Sequence, residues 1–381
     1  MGRRVAIVGV GLSESGYVPQ YSPFQLLARA SQRALQDAGL RPSDIDGFGS
    51  TGLGVLPPIE VAEYLGLTPR WMDSTSVGGS AWEVMAAHAT DAIAQGHADV
   101  VLLSYGSSSR SDIKNGLRSA NMAFGMRGPA QFEAPFGASL ASKYAMAARR
   151  HMHEYGTTVE QLAQVAVDAR AWATLNPRAE RRDPLTLEDV LNARMVADPF
   201  TAPHCCLRSD GGAAIILVAE DRLADLDVTP VFVLGSAAAT SHSTMSEWTD
   251  FTTTSAAITG QQAFQRAGIR PEDVDVCELY DAFTYNIVVL LEDLGFCAKG
   301  EGGTFLQSTG LGPGGGLPVN TDGGGLSACH PGMRGLFLLV EAVCQLRGDA
   351  GERQVNAARI ACVSAVGGWF SSSATMILGR E

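Results

Sequence analysis

Lysine is nearly missing from this chain: Lys114, Lys143 and Lys299 are the whole set among 381 residues. All three stand in polar contexts, so a buried Schiff-base amine is not expected. The net charge of −12 argues against nucleic acid or an anionic membrane as the main partner. Long apolar runs are also lacking, and nothing reads as a bilayer span. No signal peptide or stop-transfer segment is recognisable, which predicts a cytoplasmic protein. The seven cysteines are scattered or lie in apolar, strand-like segments, which predicts reduced core thiols rather than disulfides. No cluster of ligand residues has metal spacing, so no metal is expected. His151 and His153 near Glu154 read as a solvated helix face, and His204-Cys205-Cys206 as core packing.

One phrase occurs twice. Ala34–Phe48 reads ALQDAGLRPSDIDGF and Ala263–Cys277 reads AFQRAGIRPEDVDVC. An internal repeat fixes architecture before any local motif does. Each copy predicts an amphipathic helix, a glycine stop (Gly39, Gly268), a proline that bars continuation (Pro42, Pro271), and a strand. Ser43 is a candidate cap for the short turn between.

A second block repeats as helix then strand. Ala81–Ala94 and Leu336–Leu346 are apolar almost all round, which predicts burial on every face. The strands Val100–Leu103 and Ile360–Val363 follow them. Two buried helices in two similar halves suggest helices sandwiched between two sheets. Residues 107–200 lack the repeat and are richer in charge, so they read as an inserted helical cap over an active site. The domain reading is therefore 1–106 with 201–228, an insertion at 107–200, and a second half at 229–381. Gly9 and Gly11 after the first strand invite a dinucleotide reading, but the third glycine and the later acidic residue are missing.

The chemistry gathers at glycines. A helix starting at Gly78-Gly79-Ser80 offers unpaired N–H groups and a positive dipole end, so a nucleophile or oxyanion site belongs there. Ser74, Thr75 and Ser76 form its lip. Three segments of the second half are expected to converge on it: Glu278-Leu-Tyr280-Asp281-Ala-Phe283, Asn320 to Gly335 with Cys329-His330, and Ser364-Ala-Val-Gly367-Gly368-Trp369. A histidine beside glycines at a helix start can serve as acid or base.

These residues make the chain resemble the thiolase superfamily over essentially its whole length. LYDAFTYN, LEDLGFCAKGEGGTF, LPVNTDGGGLS and EAVCQLRG are most similar to its lipid-transfer-protein branch, which includes steroid side-chain aldolases and sterol-carrier-type thiolases. The resemblance implies an α/β thiolase fold: duplicated halves in five α/β/α/β/α layers with an inserted loop domain. It also implies a dimer, often with a separate OB-fold, zinc-ribbon partner subunit, and CoA as part of the substrate thioester.

Departures from the family pattern shape the expected reaction. The thiolase nucleophilic cysteine falls on Ser76, and the second thiolase cysteine on Ser364. The His-Pro-x-Gly-Ala-x-Gly motif is one residue short here, so either His330 or Cys329 takes the histidine place. A serine without a nearby base is a poor nucleophile. The glycine N–H groups of Gly78, Gly79, Gly367 and Gly368, with Asn320 and His330, would still hold a thioester enolate. The expected function is retro-aldol cleavage of the Cα–Cβ bond of a 3-hydroxyacyl-CoA, a steroid side chain among the candidates. Tyr280 or His330 would remove the hydroxyl proton, and Asp281 would orient Tyr280. The alternatives are acyl transfer with Cys329 or Ser76 as an atypical nucleophile, and a non-catalytic acyl-CoA-binding subunit. The apolar stretch 122–136 reads either as the lining of the entry to the site or as ordinary loop packing.

Overall fold

The glycine stop and the two aspartates of the repeated phrase do the same job in both copies. The computed structural model describes residues 3–117, 128–137 and 139–380. The first part comprises β1 (Val5–Leu12), α1 (Pro23–Ala38), β2 (Gly47–Gly49), α2 (Pro57–Leu65), β3 (Trp71–Asp73), α3 (Ala81–Ala94) and β4 (Val100–Ser107). Then come α4 (Ser109–Lys114), α5 (Leu140–Tyr155), α6 (Val159–Leu175), α7 (Leu187–Leu191) and a small hairpin, β5 (Met195–Ala197) with β6 (Phe200–Thr201). Strand β7 (Gly211–Ala219) returns to the first sheet. The second part comprises β8 (Val231–Thr240), α8 (Ala256–Ala267), β9 (Val276–Leu279), α9 (Thr284–Asp293), α10 (Gly302–Thr309), α11 (Gly335–Arg347), β10 (Ile360–Gly367) and β11 (Ser372–Gly379).

Helices α1 and α8 end on Gly39 and Gly268, both left-handed at φ 67° and 70°. The turn that follows is not capped by Ser43. Instead Asp44 reaches back to the Arg41 N–H and Asp273 to the Arg270 N–H, each at 2.8 Å. The next repeated aspartate clamps a neighbouring strand. Asp46 accepts from the N–H groups of Asp99 and Val100, and Asp275 from those of Arg359 and Ile360. Arg-Pro-x-Asp-x-Asp is thus a hydrogen-bonded corner that starts β2 or β9 in register with β4 or β10.

The strands run β3-β2-β4-β7-β1-β8-β11-β10-β9. Apart from the edge strand β3, whose place in the second half is taken by a single bridge at Val319, the order is symmetric about the antiparallel contact of β1 with β8. Phe48 pairs with Leu102 and Met72; its counterpart Cys277 pairs with Cys362 and bridges to Val319. Helix α1 covers β1, β4 and β7 on one outer face, and α8 covers β8 and β11 on the other. Helices α3 and α11 touch strands of both halves and each other. This is the five-layer α/β/α/β/α arrangement. Gly9 and Gly11 are packing devices: a Cβ on them would lie 2.4 Å and 2.2 Å from the carbonyls of Ala34 and Ala30 on α1.

The stretch between β4 and β7 packs onto the second half. Trp172 donates to the Leu311 carbonyl, Asn176 to that of Asp322, and Arg170 to the Ser327 hydroxyl. His151 corrects the expectation of a solvated face. It is fully buried, bonded to Thr157 at 2.8 Å and to Glu292 at 3.0 Å, while His153 is exposed. Lys143 is likewise not in a polar surface context. It is buried, paired with Glu133, and lies 3.6 Å above the Trp369 ring. Among the described residues no helix is long and apolar enough to cross a membrane.

Candidate active site

A cavity of about 300 Å³ opens where the first turn of α3 faces the β10–β11 turn. Gly78 and Gly79 form one wall, and Val366, Gly367 and Gly368 the opposite one. Tyr280 and Ala282, just past β9, form the floor, and Gly332 and Met333 close the side toward α11. The walls need glycine. Gly78 has φ 79°, and a Cβ there would come within 2.8 Å of the Gly368 nitrogen. A Cβ on Gly79 would lie 2.4 Å from Tyr280 Cζ and from the Val366 carbonyl.

Tyr280 is the ionisable residue of the repeat-frame motif that reaches this cavity. Burial holds its hydroxyl well above the usual phenol range, against the pull of the Arg334 backbone. It therefore rests protonated. His330 stands edge to face with it, ring centroids 5.6 Å apart. Its Nε2 is buried and meets no hydrogen-bond partner among the described residues. Burial, helped by the Arg334 charge, pushes the imidazole down to about 3, so it is neutral at neutral pH.

Cys329 points elsewhere. Its Sγ lies 3.9 Å from the Asp210 carbonyl, and it lines a separate small hollow with Ser13 and Arg178. Burial pushes this thiol up to about 12. Of the two candidates for one place, His330 is the residue beside Tyr280. Ser76 is exposed and is not among the residues lining the cavity. Ser364 lies inside the sheet, bonded to Thr375 at 3.0 Å, two residues short of the cavity wall.

Asn320 and Asp281 turn out to shape the site from behind it. Asn320 adopts φ 53°, and its amide clamps both the N–H and the carbonyl of Leu279, at 2.7 and 2.8 Å. Those contacts occupy its side chain and fix the end of β9. Asp281 does not bond Tyr280. Its carboxylate accepts from the N–H groups of Gly325 and Leu326, at 2.8 and 3.2 Å, and lies 3.7 Å from Arg334 Nε. Burial raises Asp281 to about 6 even so. The fully buried Arg334 also holds Asp322 at 2.5 Å and the Cys329 carbonyl at 2.7 Å. This cluster anchors the glycine loop that carries His330.

Sequence reasoning missed Tyr105 and Tyr144, which line the cavity from β4 and α5. Tyr105 donates to the Pro331 carbonyl and Tyr144 to that of Gly368, so each braces a wall. Of the stretch 122–136, residues 122–127 lie outside the described residues. Phe132 and Phe136 are exposed and are not among the residues lining the cavity, which include Leu140 and Tyr144. Among the described residues no group of three His, Cys, Asp or Glu side chains is placed to hold a metal ion.

Residues 237–380 match a family described as thiolase C-terminal domain-like. An acetyl-CoA acetyltransferase of Methanothermobacter thermautotrophicus is 35% identical, over 99% of this chain and 100% of its own length. A steroid side-chain-cleaving aldolase of Thermomonospora curvata is 35% identical, over 91% of this chain and 90% of its own. Among solved structures, an Ltp2-ChsH2(DUF35) aldolase is similar at TM-score 0.90 and 34% identity, covering 99% of this chain and 98% of that one.

Proposed function

The chain belongs to the thiolase superfamily, in its lipid-transfer and sterol-carrier branch, and from that premise we propose a carbon–carbon lyase acting on CoA thioesters. The enzyme cleaves the Cα–Cβ bond of a 3-hydroxyacyl-CoA by a retro-aldol reaction. One observation carries this reading: Tyr280 faces the cavity among the glycine walls, while Ser76 and Cys329 do not line it. The site keeps acid–base and anion-holding groups, and among the described residues its lining holds no thiol; besides those of its tyrosines, its hydroxyls are those of Ser107 and Ser108.

The proton inventory follows from the resting states. Tyr280 starts protonated and His330 starts neutral, so Tyr280 can accept the hydroxyl proton only by passing its own proton on. His330, whose Nε2 is not bonded to the Tyr280 hydroxyl at rest, would take that proton only once the two side chains move together. As the oxygen proton leaves, the β-carbon becomes a carbonyl and the Cα–Cβ electron pair passes to the thioester as an enolate. N–H groups at Gly78–Gly79 and Gly367–Gly368 hold that charge, each well-placed donor contributing about 3 kcal/mol. Tyr280 then returns the proton to Cα. The products are a ketone or aldehyde and a shortened acyl-CoA, with no water, metal or free thiol consumed.

The aldolase relatives favour a steroid side chain as the acyl group. CoA enters only as part of the substrate. The solved aldolase pairs Ltp2 with ChsH2(DUF35), which supports a separate partner subunit here too, of the OB-fold and zinc-ribbon kind, on a homodimeric core. An acetyltransferase relative of equal identity keeps acyl transfer as the second reading.

The test is incubation with 3-hydroxyacyl-CoA and 3-ketoacyl-CoA panels, with and without free CoA. Release of a shortened acyl-CoA from the hydroxy substrate without added CoA supports the lyase. Turnover of keto substrates alone, dependent on free thiol, overturns it.

A further inference from the structure

Glu83 sits in the first turn of α3, the helix whose start lines the cavity. It is fully buried, and neither carboxyl oxygen meets a hydrogen-bond donor of another residue among the described residues. Its position is specific. A Cβ on Gly335, the first residue of α11, would lie 2.4 and 2.7 Å from the two Glu83 oxygens and 2.6 Å from the Gly79 carbonyl. The carboxyl is thus wedged where the starts of α3 and α11 meet. Both starts carry unpaired N–H groups and a positive dipole end, and both border the cavity, through Gly78–Gly79 and Gly332–Met333.

We propose that Glu83 is a proton-operated counter-charge for the enolate site. With its proton on, both helix starts are free to stabilise the anion. With its proton lost, its own carboxylate takes up that positive potential and turnover falls. Glu83 touches no substrate and acts through the helix starts, as a positioning residue. The inference rests on the lyase reading above.

The surroundings keep the proton on at neutrality. Burial alone pushes Glu83 up to about 8, against only its own backbone N–H. The ionisable groups around it are Tyr280, packed on Gly79, Tyr105, packed on Trp82, and Arg334, beside Gly335. Arg334 is engaged by Asp322 and Asp281. Farther along α3, His88 pairs with Asp73 of β3.

The test is kcat/KM against pH for the full chain, with its partner subunit, on a 3-hydroxyacyl-CoA. The wild type should lose about tenfold per pH unit above an alkaline limb, placed near pH 8 by Glu83. Glu83→Gln, neutral and of equal size, should stay within about threefold at pH 7 and move the limb up by about one unit or more. A limb left in place, or a loss beyond about thirtyfold at pH 7, overturns the proposal. Glu83→Met is the second neutral variant, used should the glutamine form fail to fold.

A stability readout separates the two readings. An unfolded glutamate ionises from about pH 4.3, whereas folded Glu83 stays protonated to about 8. The wild type therefore loses stability across that window and a neutral variant does not. The melting-temperature advantage of the variant should grow between pH 5 and 8. A pH-independent difference overturns the Glu83 proposal whatever the activity. A growing difference with no turnover on any thioester supports the buried proton and counts against the lyase reading alone.

Discussion

The rings of Tyr280 and His330 meet edge to face, centroids 5.6 Å apart and planes at 84°, at the bottom of the cavity. One residue comes from the end of β9, the other from the glycine loop before α11, and only the first lines the open space. In the proposed reaction Tyr280 is thus the one of the pair that can meet a bound substrate directly.

Tyr280→Phe keeps the ring that packs on Gly79 and removes the hydroxyl. kcat on a 3-hydroxyacyl-CoA should fall by about a hundred- to ten-thousand-fold with KM little changed. Steady-state kinetics on the purified variant checks this. A drop smaller than fivefold removes Tyr280 from the mechanism.

His330 should not titrate between pH 5 and 8, because burial holds its imidazole neutral down to about 3. The measurement is the Cε1–H chemical shift by NMR across that range. A midpoint near the ordinary histidine value of about 6.5 would show an open, solvated ring and break the relay.

Cys329→Ala and Ser76→Ala should each leave turnover within about threefold, since neither side chain lines the cavity and the thiol is pushed up to about 12. Iodoacetamide at neutral pH should spare Cys329 in the folded enzyme. Abolished turnover in the Ser76→Ala variant alone would restore the acyl-transfer reading.

Gly79→Ala places a methyl group 2.4 Å from Tyr280 Cζ and the Val366 carbonyl. Neither the ring nor the strand end can yield without moving the floor of the cavity. A stability loss of about 1–3 kcal/mol is expected, with a larger loss in kcat than the thermal shift alone explains. Urea unfolding and kinetics on the same preparation decide it.

Asp322→Ala strands the fully buried Arg334 guanidinium with Asp281 at 3.7 Å as its remaining anionic partner. Breaking a buried pair in this way costs about 3–5 kcal/mol. Urea denaturation followed by circular dichroism should show that loss, and a change under 1 kcal/mol would mean that Asp281 alone neutralises the cation.

Much of the architecture was readable from the repeat. Two similar phrases, each containing Arg-Pro-x-Asp-x-Asp, specify two equal corners, because the hydrogen bonds of such a corner lie within a few residues or reach the next strand. The two apolar helices were readable for a similar reason: a helix with few polar faces has to be covered on all sides. The glycine walls were readable as paired glycines at a helix start, although what a Cβ would meet there is Gly368, Val366 and Tyr280. The burial of His151 and Lys143 was not. Their partners Glu292 and Trp369 lie 141 and 226 positions away, and no local pattern encodes such a meeting.

The sequence by itself determined the duplicated fold, the place of the glycine walls and the segments that converge on them. Tertiary structure alone decided which polar side chain of each segment faces the cavity. Cys329 is extended, so its side chain and that of His330 leave the backbone on opposite sides. Which one meets Tyr280 depends on the phase of the preceding wide turn at Gly324–Ala328. That phase is held by Asp281, more than forty residues earlier, and by Arg334, which donates to the Cys329 carbonyl. A one-residue slip would exchange the two side chains. Sequence spacing cannot settle such a choice, because it is made by long-range hydrogen bonds to a turn rather than by the local pattern.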